Sequence, residues 1–200
     1  MGNKSVAEMF ATDVAEHQMK VLRADGVNRH LRFMKGSSSC YWFDLITWPG
    51  ALCIDGDCGT YVFKRLDDMF LFFRSKRGAI NEGYWAEKVV AQCRTNGIEE
   101  FDQTAFVRHA VEYYRDYWRE RRAWSDQLEG FRELRMDVLE ADNECRMYDA
   151  LSAFRWKGFE FQDFWEWRPR RYTNRFIWNL HAIVWGIQQF DAAQPEAIAA

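Results

Sequence analysis

Two cysteines and two aspartates lie close together in the segment CIDGDC, and these residue types can bind metals or do redox chemistry. Four residues separate Cys53 from Cys58, which is the outer limit of the spacing in zinc knuckles. A structural zinc site needs a second ligand pair, and no other Cys–Cys or Cys–His pair occurs at short spacing. There is no Cys-x-x-Cys redox motif. We therefore expect no metal and no cofactor, and interpret both cysteines as strand residues beside a turn; zinc and a labile thiol pair are the alternatives.

Asp55 and Asp57, with Gly56 between them, have the spacing found at the start of a calcium-binding loop. The residues that follow supply no further carboxylate at the required positions, so Asp-Gly turn chemistry explains the pattern better. We expect Asp55 and Asp57 at the exposed apex of a hairpin. As partner-binding residues, they would present negative charge to a basic partner.

Motifs of nucleophilic and phosphate-handling enzymes are missing from the sequence. It contains no Gly-x-Ser-x-Gly elbow, no phosphate-binding Gly-x-x-x-x-Gly-Lys-Ser/Thr loop and no His-Glu-x-x-His. We expect no enzymatic activity. The alternative is an enzyme whose site is assembled from residues distant in sequence, and a deep polar pocket would favour it.

Arginines alternate with aromatic residues in two segments, 113–124 and 165–175. Such mixtures bind nucleic acids through stacking and phosphate contacts, and they also dominate the energetics of protein interfaces. The second segment holds four Arg and one Glu, so a functional role and a structural role both stay open there. We predict partner binding by Trp165, Trp167, Arg168, Arg170 and Arg171.

In the first segment, Asp116 and Glu120 offset two of the arginine charges, which favours a structural role. We expect its arginine side chains to lie along apolar surface with their charged ends in water. The aromatic residues expected in the core or at its boundary are Tyr114, Tyr117, Trp118 and Trp124.

The elements that position these residues change character along the chain. Ser5 and Glu8 form a capping-box pattern for a first helix, and Asp25-Gly26 predicts a hairpin turn. Further β-prone segments cover residues 41–48, 52–55 and 60–63. Residues 1–78 therefore predict an antiparallel β-meander of about five strands, covered by the first helix and by a helix within residues 66–73.

After residue 80 the apolar period becomes helical. We expect a helix through Tyr84, Val89 and Val90 that ends at Asn96-Gly97, a long helix ending near Trp124, and a last apolar helix over 172–190. The predicted fold class is α+β. We expect a single domain over residues 1–200, in which the helical part, 79–200, packs on the sheet-rich part.

Charge and composition exclude several classes of protein. The formal net charge is −3 and neither half is basic, which disfavours a nucleic-acid binder that depends mainly on phosphate neutralisation. Five irregularly spaced cysteines disfavour a secreted disulfide scaffold. The N-terminus has no apolar signal segment, and polar residues interrupt the apolar stretch 176–190. We expect a soluble cytoplasmic protein without a membrane partner.

Several long segments resemble a family of uncharacterised accessory proteins encoded by tailed phages and prophages. The resemblance covers roughly residues 10–95 and 158–192, through the strings HQMKVLRADGVNRHLRF, YWFDLITWPGALCIDGDCGTYVF, LDDMFLFF, YWAEKV and YTNRFIWNLHAIVWGIQQFDAA. It implies an accessory, non-structural phage protein that works inside a bacterial host cell. It carries over no catalytic residues.

The residues and this resemblance together favour binding without catalysis. The leading hypothesis is an inhibitor that occludes a host protein or ribonucleoprotein complex of defence or nucleic-acid handling, such as a CRISPR effector. The alternative is direct binding of nucleic acid or a nucleotide by segment 165–175, including Tyr172. Salt-dependent gel shifts would separate the two hypotheses.

Overall fold

Consecutive strands of the N-terminal part pair in sequence order to form a six-stranded antiparallel sheet. The structure is a computed structural model that describes residues 4–74, 78–95, 97–119, 121, 123–141 and 143–193. The strands are β1 (Gln18–Asp25), β2 (Asn28–Met34), β3 (Phe43–Trp48), β4 (Ala51–Gly56), β5 (Tyr61–Lys64) and β6 (Val89–Gln92). The α+β class and the predicted meander are confirmed, and a sixth strand extends the sheet.

The helices of the described residues are α1 (Val6–Asp13), α2 (Met69–Phe73), α3 (Glu82–Ala86), α4 (Gln103–Arg119), α5 (Trp124–Leu134), α6 (Glu144–Ala153) and α7 (Asn174–Ala193). The capping box is confirmed, because Ser5 Oγ accepts from the Glu8 amide while Glu8 Oε2 accepts from the Ser5 amide. The last predicted helix is confirmed as α7. No helix in the described ranges has the length and hydropathy needed to cross a membrane.

The chain divides into two compact units, one made of residues 1–99 with 172–200 and the other of residues 100–171. In the first unit, one face of the sheet forms the core. Leu31, Phe33, Leu45, Leu52 and Ile54 alternate along their strands and bury against the helices. As predicted, α1 and α2 contribute to this cover, through Phe10 and the C-cap residue Val14 of α1 and through Met69, Phe70 and Phe73 of α2. Helix α7 adds ten buried residues.

The predicted helix through Val89 and Val90 is wrong, because α3 ends at Ala86 and both valines belong to β6. β-branched residues favour strands, and β6, which contains both valines, pairs antiparallel with the edge of β5. The Lys64 amide donates to the Lys88 carbonyl at 3.0 Å, and the Cys93 amide donates to the Thr60 carbonyl at 2.8 Å. Asn96, at the predicted helix end, lies outside the described residues.

The second unit is mainly helical and has its own aromatic core. Helix α5 runs into a π-helical turn (Arg135–Leu139), and α6 precedes a short hairpin of β8 (Arg155–Trp156) and β9 (Phe159–Glu160). A 3₁₀ turn covers Phe164–Glu166, and β7 (Glu99–Phe101) pairs with β10 (Arg170–Tyr172). Phe106, Tyr114, Leu134, Met147 and Phe159 are fully buried in this core. The single-domain organisation stays a prediction.

Candidate partner-binding surfaces

Cys53 and Cys58 do not face each other across a hairpin. Cys53 pairs with Val62 in the β4–β5 ladder, whereas Cys58 lies in the loop after β4 and packs in the first unit's core. Side chains alternate along a strand, so Cys53 points away from the core face that Leu52 and Ile54 occupy. The interpretation of Cys58 as a strand residue is wrong, because β4 ends at Gly56.

Both thiols stay protonated near neutral pH. Burial, reinforced by the charges of Asp55 and Asp44, raises the pKa of Cys53 to about 11. Burial and the charge of Asp57 raise the pKa of Cys58 to about 11, although Arg175 opposes the shift. Within the part of the chain that the structure describes, no three His, Cys, Asp or Glu side chains are grouped to hold a metal ion.

The acidic hairpin residues are engaged in internal hydrogen bonds. Asp55 is half-buried, and its Oδ1 accepts from the Thr60 hydroxyl. Asp57 is exposed, and its Oδ2 accepts from the Tyr41 amide at 2.9 Å. The expected exposure is therefore found for Asp57. Asp55 is only partly exposed, and its hydrogen bond to Thr60 stabilises its own turn. The partner-binding role of both residues stays a prediction.

The aromatic residues of segment 165–175 have different environments. Trp165 lies in the 3₁₀ turn and is 54% exposed. Trp167 is half-buried, with its ring centroid 5.8 Å from that of Phe106 and 4.2 Å from that of His109. Of the two predicted aromatic anchors, Trp165 is thus the one that a partner could reach readily.

Two arginines of this segment are paired with carboxylates. Arg170 forms two hydrogen bonds with Glu144, at 2.7 and 3.1 Å, and Arg171 Nε contacts Glu100 Oε1 at 2.9 Å. Arg168 is exposed. These ion pairs reduce the positive charge that segment 165–175 can offer to phosphates.

The other Arg–aromatic segment forms the wall of a groove of about 760 Å³ in the second unit. We call it the α4–α5 groove; the described residues that line it are Arg115, Trp118, Arg119, Ala123, Trp124 and Gln127. Ala110, Tyr114 and Trp118 are buried at four-residue intervals on α4, so Arg115 and Arg119 fall on an exposed side of the helix. Helical spacing therefore sets both arginines beside the groove.

Trp124 does not occupy the position predicted for it. It opens α5 instead of ending α4, and its side chain is 74% exposed, so its placement at the core boundary is wrong. Helix α4 ends at Arg119, before Trp124 can reach the core that Tyr114 and Trp118 fill. Leu128, one turn further along α5, is also 59% exposed. An apolar, partly basic surface results.

A second groove, of about 480 Å³, lies in the first unit between α1 and the first turns of α7. We call it the α1–α7 groove. Asp13 and Asp57 line it, together with Tyr41, Arg175 and Trp178. Apart from the cysteine–aspartate segment, the sequence gives no local signal for it, because its walls are distant in the chain.

Asp44 anchors a polar cluster on the sheet face opposite the core. Its carboxylate accepts from Arg32 at two positions and contacts His30 Nε2, all at 2.8 Å. Burial by itself raises the pKa of Asp44, but the hydrogen bonds from Arg32 and His30 outweigh it and lower the pKa overall. The cluster is an ion-pair network.

The α4–α5 groove, lined by exposed Trp124 together with Arg115 and Arg119, is the strongest candidate for a partner-binding surface. No protein-family model matches the chain, and no curated protein and no solved structure shows significant similarity to it.

Proposed function

We propose that this protein acts by non-catalytic binding, as an accessory protein of the phage type that occludes a host complex. The target class that we favour is a defence complex such as a CRISPR effector, in the cytoplasm of the bacterial host. The observation that carries the proposal is the α4–α5 groove, in which Trp124 is 74% exposed beside Arg115 and Arg119.

Exposed Trp and Arg side chains around a concavity are the usual anchors of protein interfaces. Trp124 presents a large exposed ring, and the buried Trp118 lines the groove with it. Arg119 pairs with Asp116 at 2.7 Å, but both side chains are largely exposed, so this pair contributes little and can rearrange. A partner carboxylate could therefore replace Asp116.

A protein surface is a better partner for this unit than bare nucleic acid. Residues 100–171 contain 16 acidic and 13 basic residues. Arg170 and Arg171 are already engaged by Glu144 and Glu100. Binding that depends on phosphate neutralisation would have to break these pairs and overcome the local negative charge.

Phage plating tests the proposal. The protein is expressed in a strain whose CRISPR–Cas system targets an infecting phage, and plaques are counted against an empty-vector strain. We expect the wild-type protein to restore plaque formation. Trp124→Ala should abolish the effect, because truncating an interface anchor costs about 2 kcal/mol or more, roughly a 30-fold loss of affinity.

Two variants make the test specific. Leu71→Ala removes another exposed apolar side chain, 58% exposed in the first unit, and should retain full protection. Trp165→Ala probes the other Arg–aromatic segment. Loss of protection with Trp165→Ala but not with Trp124→Ala would move the interface to segment 165–175. Absence of protection by the wild type, with no protein captured from nuclease-treated host lysate, would reject the proposed inhibition.

Direct nucleic-acid binding is the second candidate, supported by exposed Trp165 next to exposed Arg168. A gel shift with single-stranded DNA that weakens steeply as salt rises would favour it. A pure protein inhibitor should give no shift at any salt concentration.

A further inference from the structure

The charges around the α4–α5 groove carry an inference about the chemistry of the partner, which rests on the function proposed above. The described residues that line the groove include two arginines and no acid. Segment 115–127, which supplies them, contains four Arg against three Asp or Glu, whereas residues 100–171 as a whole contain 13 basic and 16 acidic residues. The groove is therefore lined by a positive segment of an otherwise negative unit.

Charged neighbours of the groove are already engaged elsewhere. Asp126, in the first turn of α5, pairs with Lys157 at 2.7 Å, so its charge is offset from outside the groove. Arg121 Nη1 donates to the Tyr117 carbonyl, and its guanidinium lies 3.6 Å from the centre of the Tyr117 ring. These contacts leave the two groove arginines as the charges that a partner would meet.

Arg115 and Arg119 are both available to an anionic partner. Within the described ranges, no carboxylate forms an ion pair with Arg115, which is exposed. Arg119 pairs with Asp116 at 2.7 Å, but the two side chains are 73% and 62% exposed, and pairs of this kind stabilise a protein little. Four residues of helix separate the two arginines, which is about 6 Å along the axis of α4.

This separation matches alternate side chains of an extended peptide, which lie about 6.6 Å apart on one side of the chain. The residues between them point to the other side. The α5 part of the lining suits apolar side chains there, because it contains Ala123 and the 74% exposed Trp124. Gln127 lines the same part, and its side-chain amide can both donate to and accept from a peptide backbone.

We infer that the α4–α5 groove binds an extended acidic segment of the partner protein, in which carboxylates alternate with apolar residues. The carboxylates accept from Arg115 and Arg119, and the apolar side chains pack against Trp124. Nucleic acid is the less favoured occupant, because the net negative charge of residues 100–171 opposes binding that depends on phosphate neutralisation.

Titration of the full chain with a short peptide tests the inference. The probe is acetyl-Glu-Leu-Glu-Leu-Glu-amide, and the matched control is acetyl-Gln-Leu-Gln-Leu-Gln-amide, which has nearly the same shape without the charges. Binding is followed by the ¹⁵N–¹H resonance of the Trp124 indole, assigned with Trp124→Phe. We expect a saturable shift with the Glu peptide, with a Kd on the order of millimolar, and at least about fivefold weaker binding of the Gln peptide.

Arg115→Gln and Arg119→Gln should each weaken binding of the Glu peptide about threefold, and the double variant should bind both peptides equally. Arg132→Gln removes the same charge from an exposed position of α5 outside the described lining, and should leave the preference for Glu unchanged. An equal loss with Arg132→Gln would show that net charge alone drives binding, which would overturn the inference.

The peptide assay uses no host component, so this inference and the proposed inhibition can fail separately. A preference for the Glu peptide without plaque protection supports the inference and counts against inhibition. Plaque protection with equal binding of both peptides, or with no saturable Trp124 shift up to about 20 mM, keeps inhibition and overturns the inference. A short oligothymidylate that binds more tightly than the Glu peptide would also overturn it, because the groove would then be a nucleic-acid site.

Discussion

Arg29 and Asp68 form a two-pronged ion pair, in which Arg29 Nη1 and Nη2 donate to Asp68 Oδ1 and Oδ2 at 2.8 and 2.9 Å. The two side chains are 10% and 19% exposed. Asp68 Oδ1 also accepts from the Phe70 amide at 2.9 Å, and the Arg29 guanidinium lies 4.5 Å above the Phe70 ring. One carboxylate thus caps α2 and fastens it to β2.

Asp68→Ala should destabilise the first unit by about 3–5 kcal/mol, because it leaves Arg29 without its counter-charge in a mostly buried position. Asp68→Asn should cost less, since the amide oxygen can still cap α2. Urea unfolding followed by circular dichroism measures both. The control is Asp67→Ala, an exposed neighbour that should change the free energy of unfolding by less than about 0.5 kcal/mol. Equal losses at positions 67 and 68 would contradict the role of the ion pair.

Acid should unfold the first unit through Asp44 and Asp68. For Asp68, as for Asp44, burial raises the pKa, but the hydrogen bonds from Arg29 and the Phe70 amide outweigh it, so the pKa is lowered in the folded protein. Between the folded and unfolded pKa values the unfolded chain binds more protons, so stability increases with pH there. The stabilisation is fully present above the unfolded value of about 3.9 and is lost as pH falls through the lower folded values.

Unfolding free energies measured from pH 6 down to pH 2.5 check this dependence. We expect a flat profile above about pH 5 and a decline below about pH 4. Asp44→Asn should make the decline shallower, because it removes one of the two titrating carboxylates. An unchanged acid slope in this variant would show that Asp44 does not drive the acid transition.

Gly130→Ala should destabilise the second unit by about 1–3 kcal/mol, although alanine favours helices. A Cβ at Gly130 would lie 2.4 Å from both Trp156 Cδ1 and the Tyr114 hydroxyl. Both rings are fixed against α5, because Tyr114 donates to the Gln127 carbonyl and Trp156 donates to the Asp126 carbonyl. Thermal unfolding by calorimetry measures the loss.

Gly83→Ala is the matched control for this substitution. Gly83 also lies in a helix, α3, and among the described residues outside that helix the nearest atom to a Cβ there would be the Tyr172 hydroxyl, at 3.9 Å. It should be neutral or stabilising by up to about 1 kcal/mol. Similar losses at Gly83 and Gly130 would indicate that the close approach to Trp156 and Tyr114 is unimportant.

Alkylation by iodoacetamide should distinguish the five cysteines. With a pKa of about 11, only about one in a thousand Cys53 or Cys58 thiols is ionised at pH 8. We expect Cys40 and Cys145, which are exposed, to be labelled first, as read by mass spectrometry of peptides. The Cys53 rate should rise roughly tenfold per pH unit between pH 8 and 10. Rapid labelling of Cys53 at pH 7 would contradict its raised pKa.

Much of the fold follows from local patterns. The capping box at Ser5, the Asp25-Gly26 turn and the apolar run of α7 each act over a few residues, and each has the predicted effect. Val89 and Val90 differ, because their strand forms by pairing with β5, which lies about 25 residues earlier in the chain. No local window contains that partner.

The candidate sites depended still more on distant residues. Segment 165–175 reads as strongly basic, yet Glu144 and Glu100 engage two of its arginines from elsewhere in the second unit. The sequence pattern predicts Trp124 in the core or at its boundary, yet α4 ends at Arg119 and Trp124 is exposed. Composition shows which residues can bind a partner, but it does not show which are already bound within the chain.

The sequence by itself determined the α+β class, the order of the meander strands and the apolar C-terminal helix, because periodicity and turn chemistry are encoded over short distances. The tertiary structure decided that Asp57 holds Tyr41, that Asp13 and Trp178 complete a groove with them, and that Trp124 stays exposed. The contacts around Asp57, Asp13 and Trp178 join α1, α7 and the loops between strands. Such long-range contacts arise when apolar faces bury together and fix which polar groups meet.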